Sequence, residues 1–307
     1  MEPVRSALFI PGNKPGWISD APSNDADVVI LDLEDAVPPA ETADARVTVA
    51  DAVPDLRAAD QRAFVRVNGH PNADGDIFSA DAERVVPAAP EAVLVPKLRE
   101  PRDVERVDAV FSHVERREGM EPGTIELVVV IETIEAMRNV YDLCAASDRV
   151  ASITCGAPKG TDTARALRFD WSGPGRRGLE TLHMRQKSLL DARAAGVQYP
   201  LAGPFVDIDD TGGLLEDVRF AREMGYEGYL AIHPSQVPPV NEAFTPDESD
   251  VEYWLGLYET LEAAIEEGNS TVRYQGEMVD TANLKTAEEF LRHAKAFEDD
   301  LDIDVES

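Results

Sequence analysis

Apolar residues along the chain come in short blocks, separated by longer stretches of mixed polarity. Eight blocks read as strands: 6–10 (SALFI), 28–33 (VVILDL), 63–67 (AFVRV), 92–95 (AVLV), 126–131 (ELVVVI), 151–154 (ASIT), 200–206 (PLAGPFV) and 229–232 (YLAI). The intervening stretches carry helical spacing. In 101–118, Pro101 opens a helix whose Val104, Val107, Phe111 and Val114 form one apolar stripe. In 179–196, Leu179, Leu182, Leu189 and Leu190 are expected to do the same. Eight strands alternating with helices predict an α/β fold, a parallel (β/α)8 TIM barrel; an open, doubly wound sheet is the alternative. No self-similar repeat is visible beyond the strand–helix alternation.

The pattern changes after the eighth block. Pro238, Pro239 and Pro246 interrupt the chain. Thr245-Pro246-Asp247-Glu248 then reads as a helix start, with Thr at the N-cap and Glu closing a capping box. That helix should reach about Gly268, followed by an irregular segment, GNSTVRYQGEMVD, and a last helix from about Thr286. Two parts are expected: a barrel over 1–245 and a C-terminal helical extension with a flap over 246–307. Tyr253, Trp254, Leu257, Leu261 and Phe290 need a surface to pack on, which argues against a disordered tail.

Charge narrows the partners. The chain's 307 residues include 59 acids and 29 bases, a net charge of −30. Such a surface repels nucleic acid and anionic membranes. The acids are spread along the chain, which suggests a solvated acidic shell of the kind found in halophilic proteins, where salt screens self-repulsion. Cys144 and Cys155 form neither a disulfide framework nor a zinc-binding spacing. With no signal peptide and no long apolar span, a cytoplasmic protein is expected.

Candidate chemistry sits where a parallel barrel places it, at the strand C-termini. The first strand ends in Pro11-Gly12-Asn13-Lys14, the second in Asp32, Glu34 and Asp35, the fourth in Pro96-Lys97 and the fifth in Glu132-Thr133; the sixth leads through Gly156 to Asp162. Arg66 lies within the third, between Val65 and Val67. A guanidinium in an apolar strand requires a carboxylate, from the protein or from a ligand. Acids converging on one rim repel each other, and protons or a divalent cation must offset that. All-oxygen donors suit Mg2+ or Mn2+ better than zinc. On so acidic a chain, Lys14 and Lys97 at the same face imply an anionic ligand. Lys14, after a glycine turn at a helix start, is a candidate phosphate contact.

The stretches RSALFIPGNKP, DVVILDLEDAV, FVRVNG, VLVPK, VVVIETIEA, GYLAIHPSQVPPVNEAFTP and YQGEMVD, in this order over nearly the whole chain, resemble the citrate lyase beta-subunit-like family. That family includes malyl-CoA, β-methylmalyl-CoA and citramalyl-CoA lyases. The resemblance implies a (β/α)8 barrel with a C-terminal lid, assembled as a homotrimer or dimer of trimers. It implies Mg2+ held by Glu132 and Asp162, and Arg66 contacting a 2-oxo acid. Substrate and CoA contacts would come from Arg5, Phe9, Lys14 and Lys97. Asp32, Glu34 and Asp35 would orient water on the metal or pair with Arg66 or Lys97. Asp280 would reach a neighbouring subunit's site as acid/base. The implied reaction is Mg2+-dependent cleavage or condensation of a 3-hydroxyacyl-CoA, giving glyoxylate and acetyl-CoA or propionyl-CoA. Hydrolysis of malyl-CoA, net malate synthesis, a citrate lyase beta subunit with partner subunits and a non-catalytic CoA- or metal-binding protein are the alternatives. Two departures stand out: CGAPKGTDTARAL is longer before its aspartate than is usual in the family, and Asp20 occupies the place of a second basic CoA contact.

Overall fold

Each of the eight apolar blocks forms a strand: β1 (Ser6–Pro11), β2 (Val28–Asp32), β3 (Arg62–Arg66), β4 (Ala92–Val95), β5 (Glu126–Ile131), β6 (Val150–Cys155), β7 (Leu201–Ala202) and β8 (Gly228–Ala231). In the computed structural model, which describes residues 1–69, 71, 75–156, 161–168 and 178–297, they close into a parallel barrel in sequence order. β8 pairs back onto β1. This is the (β/α)8 fold that the alternation predicts. β7 is shorter than its apolar block because Pro200 and Pro204 flank it, and proline has no N–H for the ladder.

Side chains alternate between two cores. Ala7, Val28, Ile30, Phe64, Ala92, Leu94, Val128, Leu201 and Leu230 fill the barrel interior. Their neighbours along the strands, such as Leu8, Val29, Leu31, Val65, Val93 and Val129, pack outward against the helices. In the helix Pro101–Arg117 the predicted stripe of Val104, Val107, Phe111 and Val114 is fully buried. The helix Leu182–Ala194 corrects the expectation for 179–196. Leu179 and Leu190 are exposed, and the buried face is Met184, Arg185, Ser188, Leu189 and Ala192. Arg185 stays buried by pairing with Asp217 at 2.8 Å, so a polar residue occupies the face assigned to leucines.

A second compact unit begins at Thr245. Its first helix, Glu248–Glu266, is N-capped by extended Asp247, two residues beyond the expected Thr245. The segment read as irregular is a β-hairpin: β9 (Thr271–Tyr274) pairs antiparallel with β10 (Glu277–Asp280). Gln275 and Gly276 take the positive φ values, 44° and 96°, that a two-residue hairpin turn matching strand twist requires. The last helix, Thr281–Lys295, starts five residues earlier than expected, because Asp280 and Asn283 form its capping box. Leu257, Leu261, Val279 and Ala287 make this unit's own core, with Tyr253, Trp254 and Tyr274 packed against it. Among the described residues no helix is long and apolar enough to cross a membrane.

Candidate active site

The inward-facing positions continue past the apolar layers to the C-terminal rim. Val28 and Ile30 face the interior, so Asp32 does too; Phe64 carries Arg66, and Val128 carries Val130 and Glu132. Strand register then sets partners. Pro11 pairs with Asp32, and Asp32 with Arg66, which puts the carboxylate and guanidinium side by side on one face.

Arg66 Nε and Nη2 donate to the two Asp32 carboxylate oxygens at 2.6 and 2.7 Å. Asp32 also accepts from the backbone N–H groups of Glu34 and Ala36, each at 3.0 Å. With four donors on two oxygens Asp32 is saturated and serves as the pin of the loop after β2. Arg66 Nη1 is held more loosely, 3.3 Å from Glu34 and 3.6 Å from Asp35. Phe9 lies beneath, its ring centroid 4.8 Å from the guanidinium carbon, a cation–π platform. Burial works against the Arg66 charge, but Asp32, Glu34 and Asp35 outweigh it and hold its pKa above the ordinary value.

Lys97 bridges the next two strands. Its ammonium lies 2.6 Å from Glu34 Oε1, and its backbone N–H donates to Glu132 Oε1 at 2.8 Å. It does so with φ at 61°, a left-handed conformation that costs a side-chain-bearing residue energy and that recurs at functional sites. Glu34 is nearly buried, and desolvation raises its pKa against the pull of Arg66 and Lys97. Glu132 is pushed up to about 7 by desolvation and by the Glu34 charge.

Asp162 opens the short helix Asp162–Leu167 and pairs with exposed Arg165. The next residue, Thr163, is fully buried and donates its hydroxyl to the Glu132 carbonyl at 3.0 Å. Residues 157–160 of the longer stretch before Asp162 lie outside the described residues. The donor set fits a hard divalent cation. Glu132 at the β5 exit and Asp162 at the start of the helix after β6 supply oxygen only, Glu132 is disfavoured as a bare anion, and the exposed Asp162–Arg165 pair is of the weakly held kind. Mg2+ takes one or two carboxylates and fills its other positions with water and substrate. Among the described residues no cluster of three His, Cys, Asp or Glu side chains is poised for a metal, so the protein's own donors here are the two carboxylates.

Other expected site residues lie elsewhere. Arg5 precedes β1 and therefore sits at the N-terminal end of the barrel, opposite the acid-rich rim, where it pairs with Asp27 at 2.7 Å. The structure does not bring it together with the rim cluster. Lys14 is exposed just past β1, before the helix Pro15–Ser19. Asp280 is the N-cap of the last helix, accepting from Ala282 N–H at 2.9 Å. Its structural role in the second unit was not expected from the sequence. Sequence reasoning also missed Asp81, fully buried, whose carboxylate holds Asn68 through backbone and side chain at 2.7 and 2.9 Å and Arg46 at 2.6 Å. An aspartate in an otherwise amphipathic helix gave no signal of this. Thr163 had one: both candidate metal ligands are followed by threonine, Glu132-Thr133 and Asp162-Thr163.

A cavity of about 560 Å3 opens beside this cluster, lined by Glu34, Asp35, Arg46 and Asn68 together with apolar Val37, Pro39 and Ile77. The sequence profile of the HpcH/HpaI aldolase/citrate lyase family matches residues 5–234, the whole barrel with its rim. The chain belongs to this family. An L-malyl-CoA/beta-methylmalyl-CoA lyase of Cereibacter sphaeroides is 33% identical, with 95% of each chain covered. The citrate lyase subunit beta of Leuconostoc mesenteroides subsp. cremoris is 27% identical, over 95% of this chain and 93% of the relative. Among solved structures, the protein CitE from Mycobacterium tuberculosis, in complex with magnesium, acetoacetate and coenzyme A, superposes with a TM-score of 0.70 at 28% identity, covering 95% of this chain and 98% of that one. As a member of the HpcH/HpaI aldolase/citrate lyase family, the chain is an enzyme of the lyase class.

Proposed function

We propose that the protein is a divalent-cation-dependent carbon–carbon lyase acting on a 3-hydroxyacyl-CoA, malyl-CoA or β-methylmalyl-CoA, to give glyoxylate and acetyl-CoA or propionyl-CoA. The observation that carries this reading is the rim cluster itself: Arg66, with one amino group loosely held, set beside Lys97 and a Glu132 that burial makes reluctant to stay a bare anion. The malyl-CoA lyase relative and the CitE complex with magnesium and coenzyme A support the choice of substrate class.

In the cleavage direction the substrate's hydroxyl proton passes to water at the site and its carbon becomes the glyoxylate aldehyde. The adjacent C–C bond breaks, and its electron pair remains on the thioester half as an enolate. Glu132 and Asp162 would hold Mg2+ or Mn2+, which when bound supplies a template and a Lewis acid for the 2-oxo acid oxygens. Arg66 Nη1 offsets charge on the same oxygens and orients the carboxylate, while Asp32 keeps the guanidinium from swinging away. Glu34, held by Arg66 and Lys97, and Asp35 at the mouth would orient water on a bound cation. Lys97 and Lys14 are the positive groups for the anionic CoA ester, and Phe9 supports Arg66 from below. Asp280, supplied by a neighbouring copy in a homotrimer or dimer of trimers, would exchange the proton at the enolate carbon.

The test is incubation of the purified protein with malyl-CoA, β-methylmalyl-CoA and citramalyl-CoA stereoisomers, with and without EDTA, assaying 2-oxo acid, acyl-CoA and free CoA separately. Glyoxylate with stoichiometric acyl-CoA, abolished by EDTA, is the expected result. Free CoA with malate would establish hydrolysis instead. Oxaloacetate released only from a citryl thioester would establish the citrate lyase beta-subunit activity. No turnover of any of them would end the lyase proposal for these substrates.

A further inference from the structure

The two candidate cation ligands reach the rim by unequal routes. Glu132 directly follows β5 and is held on one side by the Lys97 N–H at 2.8 Å. Its neighbour Thr133 donates to the Leu98 carbonyl at 2.9 Å, tying the β5 exit to that of β4. Asp162 comes seven residues after Cys155, the last residue of β6. Metal coordination tolerates only a few tenths of an ångström in the placing of a carboxylate. The Thr163 hydroxyl on the Glu132 carbonyl ties the helix that carries Asp162 to the β5 exit. The turn that carries both residues is itself closed, since Thr161 Oγ1 accepts from the Ala164 N–H at 3.4 Å.

The Thr163 bond runs between elements, as the bond from Thr133 to Leu98 does. Thr48, Thr260 and Thr286, further inside their helices, turn their hydroxyls back to the carbonyls of Asp44, Gly256 and Ala282. Thr163 bonds across to another strand, to the backbone of the residue that would supply the other cation ligand. It does so while fully buried, where a hydroxyl must find an acceptor and holds its partner in place.

We infer that Thr163 is a positioning residue for the two candidate cation ligands: its hydroxyl docks the start of helix Asp162–Leu167 on the β5 exit and so sets Asp162 against Glu132. This rests on the reading of Glu132 and Asp162 as the cation ligands. Groups that orient metal ligands from behind change metal affinity by about 10- to 100-fold when removed.

The experiment is direct titration of the full chain with Mn2+, read by loss of the free-ion paramagnetic resonance signal, with thermal melting of the metal-free protein alongside. Thr163→Val keeps the shape and removes the donor; Thr163→Ser keeps the donor and removes the methyl group. The expected outcome is Mn2+ affinity weakened by about 10- to 100-fold in Thr163→Val and near wild type in Thr163→Ser, with similar melting temperatures for the two variants. Should the valine variant fail to fold, Thr163→Ala makes the same comparison with less bulk. Wild-type affinity without the hydroxyl would overturn the inference, as would equal weakening in the serine variant, which would assign the effect to packing. Wild-type Mn2+ affinity in Asp162→Asn would instead overturn the cation reading, and this inference with it.

Discussion

Replacing Glu132 by glutamine should make the metal-free protein more stable at alkaline pH while removing its response to the cation. Glutamine keeps an oxygen for the Lys97 N–H and discards the charge. The Glu132 carboxyl is raised from 4.5 to about 7, first by desolvation and then by the Glu34 charge. An acid whose folded pKa is raised contributes stability that is present below its unfolded pKa and lost as pH rises through the folded one. The window therefore runs from about pH 4.5 to about pH 7. A shift of that size corresponds to at most ~3 kcal/mol, of which ~2 kcal/mol falls between about pH 5.5 and pH 8. Urea unfolding in EDTA at those two pH values should show the wild type losing ~1–2 kcal/mol more than Glu132→Gln as pH rises. Added Mg2+ should then restore the wild type at pH 8 by mass action and leave the variant unchanged. A variant less stable than wild type at pH 8 in EDTA, or equally stabilised by Mg2+, would refute both the raised pKa and the assignment of Glu132 to the cation.

Arg66→Ala should destabilise the barrel by ~3–5 kcal/mol, because Asp32 would remain as a buried carboxylate without its cation while Glu34 keeps only Lys97, and should abolish turnover; Arg66→Lys should recover part of the stability but little activity, since a point charge cannot hold Asp32 at both oxygens, and equal activity would contradict this. Asp280→Asn preserves the helix cap, as asparagine caps about as well as aspartate, so melting should be unchanged while turnover falls by about 10²–10⁴; Asp280→Ala should cost ~1 kcal/mol of stability besides. Mixing Asp280→Asn with Arg66→Ala subunits should restore activity after subunit exchange, and a mixture as inactive as either parent would place Asp280 outside a shared site. With 59 acids and a net charge of −30, the protein should melt higher in molar KCl than in low salt, and a melting temperature indifferent to salt would show that its acids are not mutually repelling.

The sequence alone determined where the barrel strands and most helices lie, because strand and helix periods are local properties of hydrophobic placement. It also placed Asp32, Arg66, Lys97 and Glu132 on one rim, since every strand of a parallel barrel delivers its C-terminal residues to the same end. By the same rule Arg5, which precedes a strand, goes to the opposite end. The cap at Asp280 was missed, although its capping box is local, in Asp280-Thr281-Ala282-Asn283. Tertiary structure decided the division of labour among the acids. Asp32, Glu34 and Asp35 lie within four positions and are chemically alike, yet Asp32 is saturated, Glu34 is nearly buried between two cations and Asp35 is 71% exposed at its side chain. Nothing in the run itself encodes that difference. It follows from the β2–β3 register, which sets Asp32 against Arg66, and from the closure of the barrel, which brings Lys97 and Glu132 to the same mouth. The raised Glu132 carboxyl and the bond from Thr163 to its carbonyl have the same origin: desolvation and hydrogen bonding between strand exits exist only once distant segments are packed together.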